Sequence, residues 1–151
     1  MSALTMLLAL LDEAFDHKAW HGTTLLGSLR GLDEQTAARR PARGRHNIWE
    51  TAVHAAYWKY AVRRRLTGEK RGQFALAGSN WFERPGGGAT LAADLRLLVA
   101  EHRALREAVA GLSNRALDDR VGRGTKAFLI RGAAAHDLYH AGQIQLLKRL
   151  V

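Results

Sequence analysis

Hydrophobic residues recur along the chain with the period of an α-helix in four long stretches. The first stretch predicts a helix from about Leu4 to Arg30. Gly22 and Gly27 weaken its second half, because glycine disfavours helix interiors. The short segment 33–39 is expected to form one extra helical turn before Pro41.

The second hydrophobic stretch carries helix signals at both ends. Asn47 is a favourable N-cap, and Glu50 stands three residues later, where a carboxylate closes a capping box. Arg63–Arg65 and Gly68 suit a C-terminus, because cations complement the helix dipole and glycine adopts the left-handed cap. These signals predict a second helix from Asn47 to about Gly68.

Two further helices follow a long connection. The third is expected to start after Thr90 and to end near Gly111, and the fourth to run from just after Thr125 almost to the C-terminus. The connection before the third helix contains Gly86–Gly88 but also three aromatic residues, which usually bury. Its one strand-like pattern is a short extended piece near Phe74–Ala77. A connection with apolar anchors of its own is often functional.

These elements predict an all-α fold, a four-helix bundle with a long crossover connection, in which residues 1–151 form one domain. Bundles of this kind build metal sites from side chains that point inward on facing helices. The chain has no cysteine, which excludes disulfides and cysteine-rich zinc modules. Any metal must therefore be held by His, Asp or Glu.

The chain is strongly basic, with 23 Lys and Arg against 14 Asp and Glu and a formal net charge of +9. This balance suits nucleic acid or anionic ligands, but no nucleic-acid motif accompanies it, so a solubilising arginine-rich surface is the simpler interpretation. The apolar N-terminal run lacks a basic leader, and no stretch is long enough to span a membrane. We expect a cytoplasmic protein without a membrane partner.

Three histidines provide the clearest candidate chemistry. His136 and His140 are four residues apart, so they share one face of the fourth helix, and His54 lies in the second helix. The stripe that contains the pair is otherwise apolar, which places both imidazoles on the core face. Three imidazoles that leave one coordination position open are typical of a catalytic divalent metal. The alternative is that these histidines only bond neighbouring protein groups.

Two carboxylates near the histidines have two interpretations each. Glu50 is first a capping residue, and alternatively a fourth ligand or a general base beside a metal. Asp137 either accepts a hydrogen bond from a ligand imidazole or bonds on the solvent side. Tyr139 and Gln143 are candidates to line the entrance of the site.

The remaining histidines are weaker candidates. His17 and His21 share one face of the first helix but have polar neighbours, and His46 and His102 are expected to be exposed. No cysteine, no strained G-x-S-x-G turn and no phosphate loop occurs. Water or an external thiol on a metal is therefore the best-supported nucleophile.

Two segments carry a family resemblance. "HNIWETAVHAAYWKYAVRRRLTG" resembles the second-helix motif of the DinB/YfiT-like superfamily of metalloenzymes, and "LIRGAAAHDLYHAGQIQLLKRL" resembles its fourth-helix motif. "DEQTAARRPARG" is similar to the stretch that precedes the second helix in that family. The resemblance implies a four-helix bundle, commonly a homodimer, with nickel or zinc held by His54, His136 and His140.

The resemblance also suggests a class of reaction. Characterised relatives include S-transferases that use low-molecular-weight thiols and a mycothiol-dependent isomerase. We therefore expect a metal-dependent enzyme, a thiol-dependent S-transferase or a hydrolase, with a small substrate for which the basic residues favour an anionic group. Arg43, Arg45 or Arg63 would hold the anion. The alternatives are an interaction protein that binds nucleic acid through its basic surface, and a structural dimer without metal.

Overall fold

A computed structural model describes residues 1–151. Four long helices build the molecule, with two short helices after the first of them and a 3-10 turn and a two-stranded hairpin before the last. In chain order these are α1 (Ala3–Phe15), α2 (Leu25–Leu29), α3 (Glu34–Ala38), α4 (Ile48–Thr67), α5 (Leu91–Ala110), the 3-10 turn (Arg115–Asp118), β1 (Arg120–Val121), β2 (Gly124–Thr125) and α6 (Lys126–Leu150). The long helices α1, α4, α5 and α6 pack against one another. The prediction of an all-α four-helix bundle is confirmed.

The first predicted helix is wrong in its second half. It ends at Phe15, and the chain turns through residues 16–24 before α2 begins. Gly22 has a φ of +93°, a left-handed conformation that no helix interior accommodates. Thr24 then caps α2, because its side chain accepts a hydrogen bond from the backbone N–H of Gly27. The helical period of the sequence therefore continues across a non-helical segment, in which Gly22 has a left-handed backbone and Thr24 starts a separate helix.

The ends of the other helices follow the predicted signals. Asn47 and Glu50 form the capping box of α4, each side chain accepting from the backbone N–H of the other. Gly68 ends that helix in the left-handed conformation, with a φ of +78°. Thr90 and Thr125 cap α5 and α6. The capping interpretation of Glu50 is thus confirmed.

The connection between α4 and α5 spans residues 68–90 without regular secondary structure. The extended piece predicted at Phe74–Ala77 is absent, and these residues form bends. A two-residue hairpin that no alternating pattern predicted instead precedes α6, with Gly122 at its turn. Phe82 anchors the connection by packing in a small cluster with Trp49, so its apolar residues serve burial rather than strand pairing.

The end of this connection is tied to the helices by polar contacts. The guanidinium of Arg84 donates a hydrogen bond of 2.6 Å to Asp94, which also accepts from the indole N–H of Trp49 at 2.7 Å. The side chain of Asn47 donates to the backbone oxygen of Arg84 at 2.8 Å. These bonds hold the connection against the start of α4 and α5. None of the helices combines the length and apolar composition that crossing a membrane requires.

Candidate metal centre

Helices α4 and α6 bring three imidazoles to one point. His54 comes from the middle of α4, and His136 and His140 lie one turn apart on α6. Nε2 of His136 is 3.2 Å from Nε2 of His54 and 3.0 Å from Nε2 of His140. The ligand atoms of the three residues all lie within 4.8 Å of one another. The predicted convergence of these side chains is confirmed.

The outer nitrogens of two of these rings have acceptors that set the tautomer. Nδ1 of His54 lies 2.8 Å from the backbone oxygen of Asn80, and Nδ1 of His140 lies 2.7 Å from Oε1 of Gln143. Both oxygens accept, so both Nδ1 atoms carry the proton. In a neutral imidazole this leaves Nε2 with a free lone pair. His54 and His140 therefore each present an acceptor to the centre of the cluster.

The donor count within the cluster favours a cation. Nε2 of His136 lies between the two acceptors and can donate at most one proton, so one of the two lone pairs receives none from this nitrogen. A divalent ion bound by all three nitrogens uses every lone pair. Ligand nitrogens around a tetrahedral zinc lie about 3.3 Å apart for bonds of about 2 Å. Two of the three separations, 3.0 and 3.2 Å, match that spacing, and all three ligand atoms lie within 4.8 Å of one another.

Burial keeps the cluster neutral and available as ligands. Desolvation lowers the pKa of His54 to about 4, although its bond to Asn80 opposes the shift. Desolvation lowers the pKa of His136 to about 3, with a smaller contribution from the two neighbouring imidazoles. The pKa of His140 is lowered by the same cause. Because metal ligation requires the neutral imidazole, the three side chains are ready to bind near neutral pH.

An aromatic stack holds His54 from the side of the long connection. The indole of Trp81 packs on the imidazole of His54, with ring centres 3.8 Å apart and planes 9° apart. Asn80 precedes it with a φ of +67°, and its side-chain oxygen accepts from the indole N–H of Trp58 at 2.9 Å. The left-handed backbone at Asn80 aims its carbonyl at His54. The long connection thus orients one of the three candidate metal ligands.

The cluster opens into a cavity of about 560 Å³ between α6 and the segment before α4. Tyr139 and Gln143 line it, as predicted, together with Arg45, His46 and Trp81. Arg45 is the only Lys or Arg side chain in the lining, and no carboxylate contributes. The cavity therefore favours an anionic group.

Of the three arginines predicted near the site, only Arg45 lines the cavity. Arg43 does not contribute to the lining. Arg63 donates hydrogen bonds to the carboxylates of Glu69 and Glu101, and neither glutamate lines the cavity. Its charge is therefore used within the fold rather than for a substrate.

Glu50 is buried beside the cavity and makes contacts only with the protein. Its oxygens accept from both terminal nitrogens of Arg40, from the backbone N–H groups of Asn47 and Arg84, and from His46. Burial is the largest single effect and raises its pKa, but these bonds together outweigh burial and hold the pKa below its usual value. The group of side chains that converges on the metal position does not include Glu50. Its alternative role as a fourth ligand has no support in this geometry.

Neither interpretation of Asp137 is correct. Its carboxylate is 1% exposed, which excludes a solvent-side bond, and its hydrogen bond is with Lys59 of α4 rather than with an imidazole. Lys59 is itself 2% exposed, so the two form a buried ion pair behind the histidine cluster. The lysine was not recognised from the sequence because cationic side chains are rarely buried. The second Asp137 oxygen, Oδ1, has no partner.

The other histidines behave differently from one another. His17 and His21 bond Asp16 and the backbone of Glu13, and neither belongs to the cluster. The prediction that His102 is exposed is wrong, because it is 3% exposed and stacks on Phe15. His46 is exposed as predicted, but it also lines the cavity. The spacing of residues in the sequence did not predict that His46 lines the cavity, because His46 lies in the loop before α4 rather than on a helix face.

The sequence profile of the DinB superfamily matches residues 17–144. The chain therefore belongs to the DinB superfamily, and all three histidines of the cluster lie within the matched range. No curated protein matches the chain, and no solved structure does either.

The metal-free protein is expected to lose stability as the pH falls from about 6.5 towards 4. Unfolded histidine titrates near 6.5, whereas burial lowers the pKa of His54, His102 and His136 to about 4, 3 and 3, and also lowers that of His140. In this range the unfolded chain binds more protons, so the free energy of unfolding falls by up to about 1.4 kcal/mol per pH unit for each histidine.

Urea denaturation between pH 7 and pH 5 in the presence of a chelator measures this dependence. Over this range most carboxylates stay ionised. His17→Gln is the control, because it removes a histidine whose side chain is 62% exposed and lies outside the cluster. A free energy of unfolding that is constant between pH 7 and pH 5 would contradict the burial of neutral imidazoles.

Proposed function

We propose that this protein is a metal-dependent enzyme that uses His54, His136 and His140 to hold one divalent ion, nickel or zinc. The single observation that carries the proposal is the convergence of three neutral Nε2 atoms, two of them with a fixed tautomer, at the end of an open cavity. A divalent ion in such a site acts as a Lewis acid and lowers the pKa of a bound water or thiol, so that a nucleophile is available near neutral pH.

The reaction we propose is the attack of a low-molecular-weight thiol, or of water, on an electrophilic small molecule. The chain offers no nucleophile of its own for this reaction, because it has no cysteine. The cavity of about 560 Å³ has room for a small substrate together with a small thiol. The cavity lining contains Arg45 and no carboxylate, and cellular thiols commonly carry carboxylates. This favours a thiol S-transferase over a hydrolase.

Arg45 is proposed to bind the anionic group of the thiol or of the substrate. It lies beside His46 in the loop before α4 and is the only Lys or Arg side chain in the lining. Such a contact is partly exposed to solvent, so it contributes a few-fold to affinity and weakens with salt. Arg45 would position the anionic group in the cavity and would not contact the metal ion.

The experiment is a thiol-transfer screen on zinc- and nickel-loaded protein. Chlorodinitrobenzene serves as the electrophile, and mercaptoethanesulfonate and mercaptoethanol serve as an anionic and a neutral thiol. A rate above the uncatalysed reaction that chelation abolishes is the expected result. Nitrophenyl acetate tests hydrolysis in parallel, so that turnover of the ester alone would replace the transferase by a hydrolase. No turnover with any of these probes would count against an enzyme.

The variant Arg45→Gln is expected to raise KM for mercaptoethanesulfonate about five-fold and to leave KM for mercaptoethanol unchanged. Arg43→Gln is the matched control, because Arg43 is an exposed arginine of the same loop outside the cavity. Equal effects of the two substitutions, or an equal effect on both thiols, would show that the anion binds elsewhere.

Two further proposals follow from the family resemblance alone. The first is that the protein forms a homodimer, which sedimentation equilibrium measures. The second is that it acts in the cytoplasm, which cell fractionation measures.

A further inference from the structure

His46 lies on the opposite side of Trp81 from the metal cluster. Its imidazole stacks on the indole with ring centres 3.6 Å apart and planes 3° apart, while the imidazole of His54 stacks at 3.8 Å. Two rings cannot occupy the same face of one indole at these distances, so Trp81 is sandwiched between the two imidazoles. His46 therefore has a defined position at the wall of the cavity.

One nitrogen of His46 is held by a buried carboxylate. Nδ1 lies 3.1 Å from Oε2 of Glu50, which is 3% exposed. The carboxylate is itself fixed by Arg40 and by the capping bond to Asn47. An ionised carboxylate only accepts, so Nδ1 of His46 carries the proton and Nε2 presents a lone pair. The imidazole side chain is 48% exposed and lines the cavity.

We propose that His46 is the proton-transfer residue of this cavity, taking a proton on Nε2 from the thiol or water that attacks the substrate. This inference rests on the proposed function and assigns to that reaction a residue outside the metal ligands. A positioned histidine whose other nitrogen donates to a carboxylate is the arrangement that general base catalysis uses.

The bonds of the test reaction balance with this role. With chlorodinitrobenzene, the S–H bond of the thiol breaks and its proton passes to Nε2 of His46. The sulfur electron pair forms the new carbon–sulfur bond, and the carbon–chlorine bond breaks with its electron pair leaving on chloride. His46 then returns the proton to solvent through its exposed side, and no oxidant or reductant is required.

The charged groups around His46 suit a neutral imidazole that accepts a proton during reaction. Glu50 stabilises the imidazolium, while Arg40 neutralises part of that carboxylate through two hydrogen bonds. Arg45 adjoins His46 in the same loop, and His54 faces it across the indole. The carboxylate of Glu50 thus keeps the proton of His46 on Nδ1, and Nε2 is left without a hydrogen-bond partner.

The test compares His46→Phe with the wild-type protein, both loaded with zinc. Phenylalanine keeps an aromatic ring for the stack on Trp81 and cannot accept a proton. His17→Phe is the matched control, because His17 also bonds a carboxylate, that of Asp16, but is exposed and outside the cavity. His46→Gln is a second variant, which keeps a hydrogen-bond donor for Glu50 without a titratable group.

Two quantities are measured. The first is kcat/KM for mercaptoethanesulfonate and chlorodinitrobenzene, which is expected to fall by about 10²- to 10⁴-fold in both His46 variants. The second is the number of protons released to buffer when the thiol binds without electrophile, from calorimetry in buffers of different ionisation enthalpy. The His46 variants are expected to release about one proton more than wild type, because His46 no longer retains it. Zinc content is expected to stay at the wild-type value.

The outcomes separate this inference from the proposed function. If the wild-type protein turns over substrate and the His46 variants keep its kcat/KM and its proton release, the role of His46 is overturned. The enzyme proposal then remains intact. Loss of zinc from both His46 variants would also overturn it, because His46 would then act by supporting His54 through Trp81. If the metal-loaded wild-type protein shows no turnover and binds no thiol, both the enzyme proposal and the role of His46 are rejected.

Discussion

Replacing His140 by alanine is expected to remove the bound divalent ion. Wild-type protein supplied with zinc or nickel should carry about one ion per chain, held by the three converging Nε2 atoms. His140 contributes one of these atoms and is oriented by Gln143. Loss of an orienting partner alone weakens metal sites about 10- to 100-fold, so loss of the ligand itself should weaken binding by more than about 100-fold.

Elemental analysis after dialysis and calorimetric titration of the metal-free protein measure this effect. Thermal unfolding provides an independent readout, because an ion at about 100 times its Kd stabilises the folded state by about 2.7 kcal/mol. Added metal should therefore raise the Tm of wild type and of the control His21→Ala, whose imidazole bonds the backbone of Glu13 outside the cluster. Equal metal content in His140→Ala and wild type would place the ion elsewhere in the protein.

Replacing Lys59 by methionine is expected to destabilise the fold by about 3–5 kcal/mol. Lys59 and Asp137 are an almost fully buried ion pair that joins α4 to α6, and removal of the cation leaves a carboxylate in an apolar environment. Burial already raises the pKa of Asp137, and Lys59 opposes that shift. Without the lysine, the carboxylate must either remain charged and unpaired or take up a proton.

Urea denaturation of a double-mutant cycle measures the interaction. Lys59→Met combined with Asp137→Leu should recover most of the lost stability, because well-packed apolar pairs often replace buried ion pairs at little cost. The matched control is Lys126→Met, which removes the cation of a partly exposed pair with Asp119 and should cost less than about 1 kcal/mol. A loss below about 1 kcal/mol in Lys59→Met would show that Asp137 does not depend on this partner.

Local signals identified most helix ends because they act within a few residues. The capping box of Asn47 and Glu50 and the left-handed Gly68 were recognisable from residue type and spacing. The break after Phe15 was not, because an amphipathic pattern can continue through residues that no longer form a helix. Gly22 was the available signal that the helix does not continue to Arg30, because its backbone is left-handed, although the helix already ends at Phe15.

The three candidate metal ligands were predictable for a related reason. His136 and His140 share a helix face by their spacing, and His54 lies on a helix that is buried almost throughout. The same reasoning failed for Asp137, whose partner Lys59 is 78 residues away in the chain. Pairings of this kind depend on how two helices pack, and no local pattern records the rotation of one helix against another.

By itself the sequence determined the helix-forming stretches, most of their ends and the three imidazoles on the inner faces of α4 and α6, because helical period and capping are local properties. Only the tertiary structure decided what surrounds those imidazoles. The loop carbonyl of Asn80, the Trp81–His46 stack and the Lys59–Asp137 pair bring together groups that are distant in the chain. Their contacts arise from packing and burial, which depend on the whole fold at once.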